Sequence, residues 1–161
     1  MTSDAPERPG PHRLLFVCTA NIARSPMAEV LAVRYANERG WGLEVASAGT
    51  HAIAGNPAAP NSVKAARELG CDLSAHRSRP VDEALVAWAD RVLVMEMRQA
   101  RHLRATFPVA EDKVLSLANF GGMVEIDDPF GRWIFAFRRC RDELRTCVEA
   151  FMDRLPYRPP F

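Results

Sequence analysis

The sequence predicts an α/β domain, a small four-stranded parallel sheet with helices on both faces. Short apolar segments at 14–17, 43–48, 91–95 and 113–117 alternate with segments of helical periodicity, the pattern of a covered parallel sheet. The 161 residues, 48% hydrophobic and 25% charged, suit one ordinary globular domain with a sizeable core. No internal repeat, linker or second domain interrupts the pattern.

The first eleven residues are polar and rich in Pro, so 1–11 is expected to be a disordered tail, 12–156 the domain and 157–161 a short C-terminal tail. Leu14, Leu15, Phe16 and Val17 form the first strand, and 18–24 is a tight loop. Ser25 reads as an N-cap with Pro26 at the first helical position. That helix carries Met27, Val30, Leu31 and Tyr35 on its sheet-facing side and ends near Arg39, with Gly40 as the stop. Residues 43–48 alternate as a second strand. The loop opened by Gly49-Thr50 runs to Pro60, and a helix capped by Asn61 follows through Leu69, closed by Gly70. A short helix at 82–89, a strand at 91–95, a basic helix at 98–106 and a strand at 113–117 come next. The loop 118–131 contains Gly121-Gly122 and Asp127-Asp128-Pro129. A long last helix is expected to place Trp133, Phe137, Cys140, Leu144, Cys147, Val148, Phe151 and Leu155 on one face. The arginines at 98, 101, 104, 138, 139, 141 and 145 read as solvated helix faces.

The net charge of +1 gives no reason to expect nucleic acid or an anionic membrane as partner. No apolar run approaches the ~20 residues that span a bilayer, and the N-terminus does not resemble a secretory signal. Cys18, Cys71, Cys140 and Cys147 are therefore expected as free thiols in a reducing cytoplasm. Cys140 and Cys147 lie ~10 Å apart along a helix, too far to bridge within it. Neither GxGxxG nor a metal spacing such as CxxC or HxxxH occurs, and no cofactor or metal is expected.

The chemistry points to the loop after the first strand. A loop between a buried strand and a helix N-terminus turns backbone N–H groups into one small space, and the helix dipole adds positive potential. The backbone of Thr19, Ala20, Asn21, Ile22, Ala23 and Arg24 would thus cradle a phosphate or other tetrahedral oxyanion. Cys18 stands at its floor and Arg24 at its rim. Helix N-termini and neighbouring cations favour the thiolate, the form that attacks phosphorus, and arginine can grip two phosphoryl oxygens in fork geometry. An aryl phosphate also needs a proton for its leaving group. Asp128, ahead of Pro129 in a Gly-flanked loop, is the candidate acid; alone, the pair reads equally as an Asp-Pro turn, with Asp127 as the rival.

The run from Val17 to Glu29, with Cys18, Arg24, Ser25 and Pro26 inside it, resembles the signature of the low-molecular-weight protein tyrosine phosphatases, in its bacterial form. The likeness continues through Ser47-Ala48-Gly49-Thr50, His76, Met95-Glu96 and Asp128-Pro129, and covers about 13–155. It implies a Rossmann-like, flavodoxin-like three-layer sandwich and a monomeric, metal-independent phosphatase acting on phosphotyrosine in proteins. Cys18 would be the nucleophile, forming a phosphocysteine, with Arg24 binding the oxygens and Asp128 as the acid. Asn21, Ser25 and His76 would form a hydrogen-bond network that holds the loop in a strained shape. Thr19, Ile22, His51, Ile53 and Phe130 would line the substrate pocket.

The chain departs from the family pattern at several points. Ala20 stands where glycine is usual, Ala23 where a second cysteine is usual, and Glu96 where aspartate is common. Where aromatic residues often line the slot stand His51, Ala52, Ile53 and then Phe130, Gly131, so one pocket wall is less aromatic. Three other readings share parts of the pattern. Thioredoxin-coupled arsenate reductases need a cysteine pair after the third strand, where this chain has Met95-Glu96-Met97. Protein-arginine phosphatases of the same family carry Thr where Ile22 stands. A phosphate-binding module without turnover would not need Cys18, Arg24 and Asp128 together.

Overall fold

Strand β1 (Arg13–Cys18) carries four successive side chains without exposure: Leu14, Leu15, Phe16 and Val17. Alternate residues of a strand point to opposite faces, so such a run is stable only with a layer on each side. Burial of each of these side chains contributes ~1.5–3 kcal/mol relative to exposure. The computed structural model, which describes residues 13–156, supplies both layers. The expected tails at 1–11 and 157–161 lie outside the described residues.

The sheet is four-stranded and parallel in the order β2-β1-β3-β4, with β2 (Glu44–Gly49), β3 (Arg91–Val94) and β4 (Val114–Ser116). On one face Leu14, Phe16, Leu93 and Met95 pack with α1 (Arg24–Glu38), α2 (Pro60–Glu68), α5 (Leu117–Phe120) and α6 (Ile134–Asp153). On the other, Leu15, Val17, Val92, Val94 and Val114 pack with α3 (Glu83–Trp88) and α4 (Met97–Thr106). The chain leaves β1 for β2 on one side and reaches β3 on the other. That order puts the crevice of an open α/β sheet at the carboxyl ends of β1 and β3. No helix among the described residues is long and apolar enough to cross a membrane.

Gly40 and Gly70 close their helices with φ of +67° and +78°, and Asp82 caps α3 by accepting from Leu85 N at 2.7 Å. Elsewhere the boundaries differ from the sequence expectation for identifiable reasons. Ser25 is not the N-cap of α1: the helix begins at Arg24, and the Ser25 hydroxyl is spent on Cys18 and Asn21. Nor does Asn61 cap α2, because Pro60 occupies its first position. The loop from 118 is interrupted by α5. Trp133 does not join the buried face of α6; it precedes the helix and is 83% exposed. The arginines of α6 are not simply solvated either. Arg138 and Arg141 both bind Glu68 on α2, and Arg141 also donates to Ala65 O at 3.0 Å.

Gly49 ends β2 beside Cys18 and lacks room for a side chain. A Cβ there would lie 2.4 Å from Thr19 O, 2.8 Å from Ala52 Cβ and 3.0 Å from Asn21 N. Two of those neighbours are backbone atoms of the 18–24 loop, which cannot give way without losing its shape. Gly49→Ala is therefore expected to cost about 1–3 kcal/mol in urea unfolding and to distort the loop. An unchanged midpoint would show that the loop has slack.

Candidate active site

Cys18 ends β1 and is 3% exposed. The segment after β2 lies against the following loop, with Thr50 N donating to Cys18 O and His51 N to Thr19 O, both at 2.9 Å. Ala59 N holds the far side through Ile22 O at 2.8 Å. Within the loop Asn21 takes φ +56°, the left-handed region that asparagine tolerates better than most residues. Its Nδ2 donates to Ser25 Oγ at 2.8 Å and to Ser47 Oγ at 3.0 Å, while its Oδ1 accepts from Arg79 N at 3.0 Å. His76 Nε2 donates to the Asn21 carbonyl at 2.7 Å. Ser25 Oγ lies 2.9 Å from Cys18 Sγ and 3.4 Å from Ala48 O. Because Asn21 already donates to that hydroxyl, its own proton is free for the nearer sulfur. The expected set Asn21, Ser25 and His76 is thus joined by hydrogen bonds, with Ser25 the member that reaches the thiol.

Arg24 opens α1 at 1% exposure. Its Nη1 binds Glu96 Oε1 and donates to Ile126 O at 2.8 Å, and its Nη2 lies 3.6 Å from Asp128 Oδ2. Its Nε is buried and makes no hydrogen bond within the protein, the disposition that suits a donor to a phosphoryl oxygen. Glu96, just after β3, gives its other oxygen to Arg98 Nε at 2.6 Å. Burial works against ionisation of Glu96, but the bonds from Arg98 and Arg24 outweigh it and hold the carboxyl below its ordinary range. Asp128 accepts from Phe130 N at 3.1 Å, an Asx turn that fixes one oxygen. Its neighbour Asp127 is exposed and lines a cleft of about 250 Å³ with Asp128, Arg139, Cys140 and Glu143. Burial pushes the Cys140 thiol well above its ordinary range.

Of the residues expected to line the pocket, Ile22 and Thr19 lie on the loop and are half-buried. Ile53 and Phe130 stand exposed on two separate loops, at 73% and 62%. Four supporting residues had no role assigned from the sequence, although Ser47 and Glu29 stand in the stretches that carry the family resemblance. Gln99 is buried on α4, accepts from Met95 N and Glu96 N at 2.9 Å, and donates to Thr19 Oγ1 at 3.2 Å. Its spacing three residues after Glu96 was the available signal. Arg79 bonds the Ser47 carbonyl at 3.1 Å as well as Asn21. Ser47 donates to Glu29 Oε2 at 2.9 Å, which extends the network from Cys18 through Ser25, Asn21 and Ser47 to a carboxylate. Glu29 ends the Val17–Glu29 run, and only the fold shows its bond to Ser47.

Burial raises the Glu29 carboxyl above its ordinary range, against the bond from Ser47 and the charges of His76 and Arg79. A raised carboxyl stabilises the fold below its unfolded value and loses that stabilisation as pH rises through the folded one. The Tm of the wild type minus that of Glu29→Gln should therefore fall as pH rises from about 4 to 8. A flat difference would show that the ionised form is fully compensated.

The family model described as low molecular weight phosphotyrosine protein phosphatase matches residues 13–158. A protein-arginine-phosphatase of Geobacillus stearothermophilus is 38% identical over 147 residues, 90% of this chain and 97% of its own. A low molecular weight protein tyrosine phosphatase from T. tengcongensis superposes with a TM-score of 0.85 at 33% identity, over 89% of this chain and 99% of the other. A cysteine-to-serine mutant of YwlE arginine phosphatase with phosphorylated active site serine superposes at 0.84 with 34% identity, over 88% and 94%. With the same sheet and the same signature over nearly its whole length, the chain belongs to the low molecular weight phosphotyrosine protein phosphatase family.

Proposed function

We propose that the protein hydrolyses phosphotyrosine in protein substrates through a phosphocysteine. The observation that carries this reading is the convergence of Cys18 Sγ, the buried Arg24 with its unpartnered Nε, and Asp128 at the carboxyl ends of β1 and β3. The sulfur attacks phosphorus in line with the leaving oxygen. Arg24 and the N–H groups at the start of α1 hold the non-bridging oxygens as charge spreads over them. The P–O bond breaks, and Asp128 gives its proton to the departing phenolate. The same carboxylate then takes a proton from water, which attacks the phosphocysteine and releases inorganic phosphate and the thiolate. Ser25 Oγ, 2.9 Å from Sγ, donates a hydrogen bond to the thiolate before attack and after release. The phosphoserine in the YwlE mutant supports a covalent step at this position. Free, buried thiols at 18, 71, 140 and 147 fit a reducing compartment, and a cytoplasmic monomer is part of this reading.

A second reading, hydrolysis of phosphoarginine, is favoured by the protein-arginine-phosphatase relative at 38% identity. Against it stands Ile22, a branched apolar side chain at the loop position where those phosphatases resemble one another in carrying Thr. The two are separated by kcat/KM on matched phosphotyrosine and phosphoarginine peptides with EDTA present. Phosphotyrosine is expected to be preferred, and Cys18→Ser to abolish turnover of both. Preference for phosphoarginine would overturn the substrate assignment while leaving the chemistry.

The two adjacent carboxylates give a sharper test. Asp128→Ala should lower kcat by roughly 10²–10⁴ on a phenol of high pKa, and less on a highly activated one. Asp127→Ala should change kcat little, since Asp128 rather than Asp127 stands 3.6 Å from Arg24. An exchange of these behaviours would place the acid one residue earlier.

A further inference from the structure

Beside the loop, α4 and the segment after β2 enclose a recess of about 200 Å³ lined by Thr19, Thr50, His51, Arg98, Gln99 and His102. None of these residues is acidic, and three are basic side chains. The rings of His51 and His102 lie 5.1 Å apart, tilted by 46°. The first is fixed from its own segment, with Nδ1 3.0 Å from Thr50 Oγ1 and its backbone N–H on Thr19 O. Arg98 reaches across from α4, its Nη2 3.4 Å from Thr19 Oγ1, and the buried Gln99 anchors the same hydroxyl. The acids that bear on Arg98 are Glu96, in contact, and Asp128 and Glu125, farther off. Glu96 faces two guanidiniums, Arg24 and Arg98, and does not belong to the lining of the recess. Glu125 already accepts from Met97 N at 3.0 Å.

Thr19 follows Cys18 directly and belongs to both the loop and the recess. In an extended peptide, residues one or two apart are spaced by roughly 3–7 Å, so a group entering the recess while the phosphoryl group sits over Cys18 would come from a residue near the phosphorylated one. The space equals several water molecules of ~30 Å³ each, enough for a carboxylate or phosphate head. Arg98, whose Nε and Nη2 already donate to Glu96, offers its remaining N–H groups and each imidazole a ring N–H, and no carboxylate belongs to the lining of the recess. We propose that the recess formed by His51, Arg98 and His102 is a second oxyanion subsite, which takes an acidic side chain or a second phosphoryl group flanking the phosphorylated residue of the substrate. This rests on the phosphatase reading and narrows its substrates to acidic or multiply phosphorylated segments.

The test is a series of phosphotyrosine peptides in which a single Glu moves through the positions on either side, against an all-neutral parent. One or two positions should raise kcat/KM by roughly fivefold at low salt, with the gain shrinking as ionic strength rises. A second phosphotyrosine at the same position should exceed Glu, which separates the phosphate source from the carboxylate source. His102→Glu should abolish or invert the ratio of charged to neutral peptide; taking the ratio within one variant cancels any general loss of activity. A flat series in the wild type, or a ratio untouched by His102→Glu, overturns the subsite while leaving the phosphatase intact. If only phosphoarginine peptides are turned over, the substrate assignment fails and the same series on phosphoarginine decides the subsite by the same ratios. If neither is turned over, the ratios are read from binding of the labelled phosphotyrosine series by fluorescence anisotropy.

Discussion

Asn21 is the residue on which the site depends. A non-glycine residue in a sparsely populated backbone region costs of order 1–3 kcal/mol, and it persists only where the surroundings over-determine it. Here they do. The side-chain amide bonds Ser25, Ser47 and the backbone of Arg79, and the carbonyl accepts from His76. These partners come from α1, β2 and the segment before α3, so the curvature of one short loop is held by three parts of the fold. Gly49 completes the fit by letting the end of β2 approach Thr19 O and Asn21 N at distances no side chain would allow.

The second constraint is electrostatic. A fully buried guanidinium is tolerated only when paired and hydrogen-bonded, and Arg24 meets Glu96, Ile126 O and, at 3.6 Å, Asp128. Lysine could not replace it, because the arrangement uses Nη1 for Glu96 and Ile126 O, turns Nη2 towards Asp128 and leaves Nε for a further acceptor. Glu96 in turn is shared with Arg98, so the charge of the loop is linked to the surface of α4. Position 96 holds one carboxylate between a buried and an exposed cation, which couples the interior of the site to the recess beside it.

Both constraints rely on β1 being apolar on two faces. With Leu14 and Phe16 against one helical layer and Leu15 and Val17 against the other, the strand is clamped and its carboxyl end is a fixed point. The reversal of strand order at β1 and β3 opens the crevice there, and Cys18 and Glu96 emerge side by side from it. Ser47 and Glu29 link that point to the far side of α1 through hydrogen bonds rather than through backbone movement.

The sequence by itself determined the layered parallel sheet, since alternating short apolar runs and amphipathic helices have few other stable arrangements. It also marked Cys18 and Arg24 by their place between a strand and a helix N-terminus, and Gly40 and Gly70 by their freedom at positive φ. These are local properties of period, spacing and backbone tolerance. What only the tertiary structure decided are the partners of polar side chains, which depend on elements far apart in the chain. Ser25 reads locally as a cap, and only the family resemblance pointed to a network with Asn21 and His76; in the fold its hydroxyl turns to Cys18 while Asn21 donates to it from within the loop. Trp133 has the apolar character of a core residue but precedes the first turn of α6, outside the stripe that faces the sheet. Arg138 and Arg141 read as solvated, but α2 brings Glu68 to them across 70 and 73 residues. Arg79 and Glu29 acquire their bonds at the site only when the segment before α3 and α1 converge on one loop, and Gln99, whose spacing from Glu96 was a local signal, reaches Thr19 only because α4 meets the same loop.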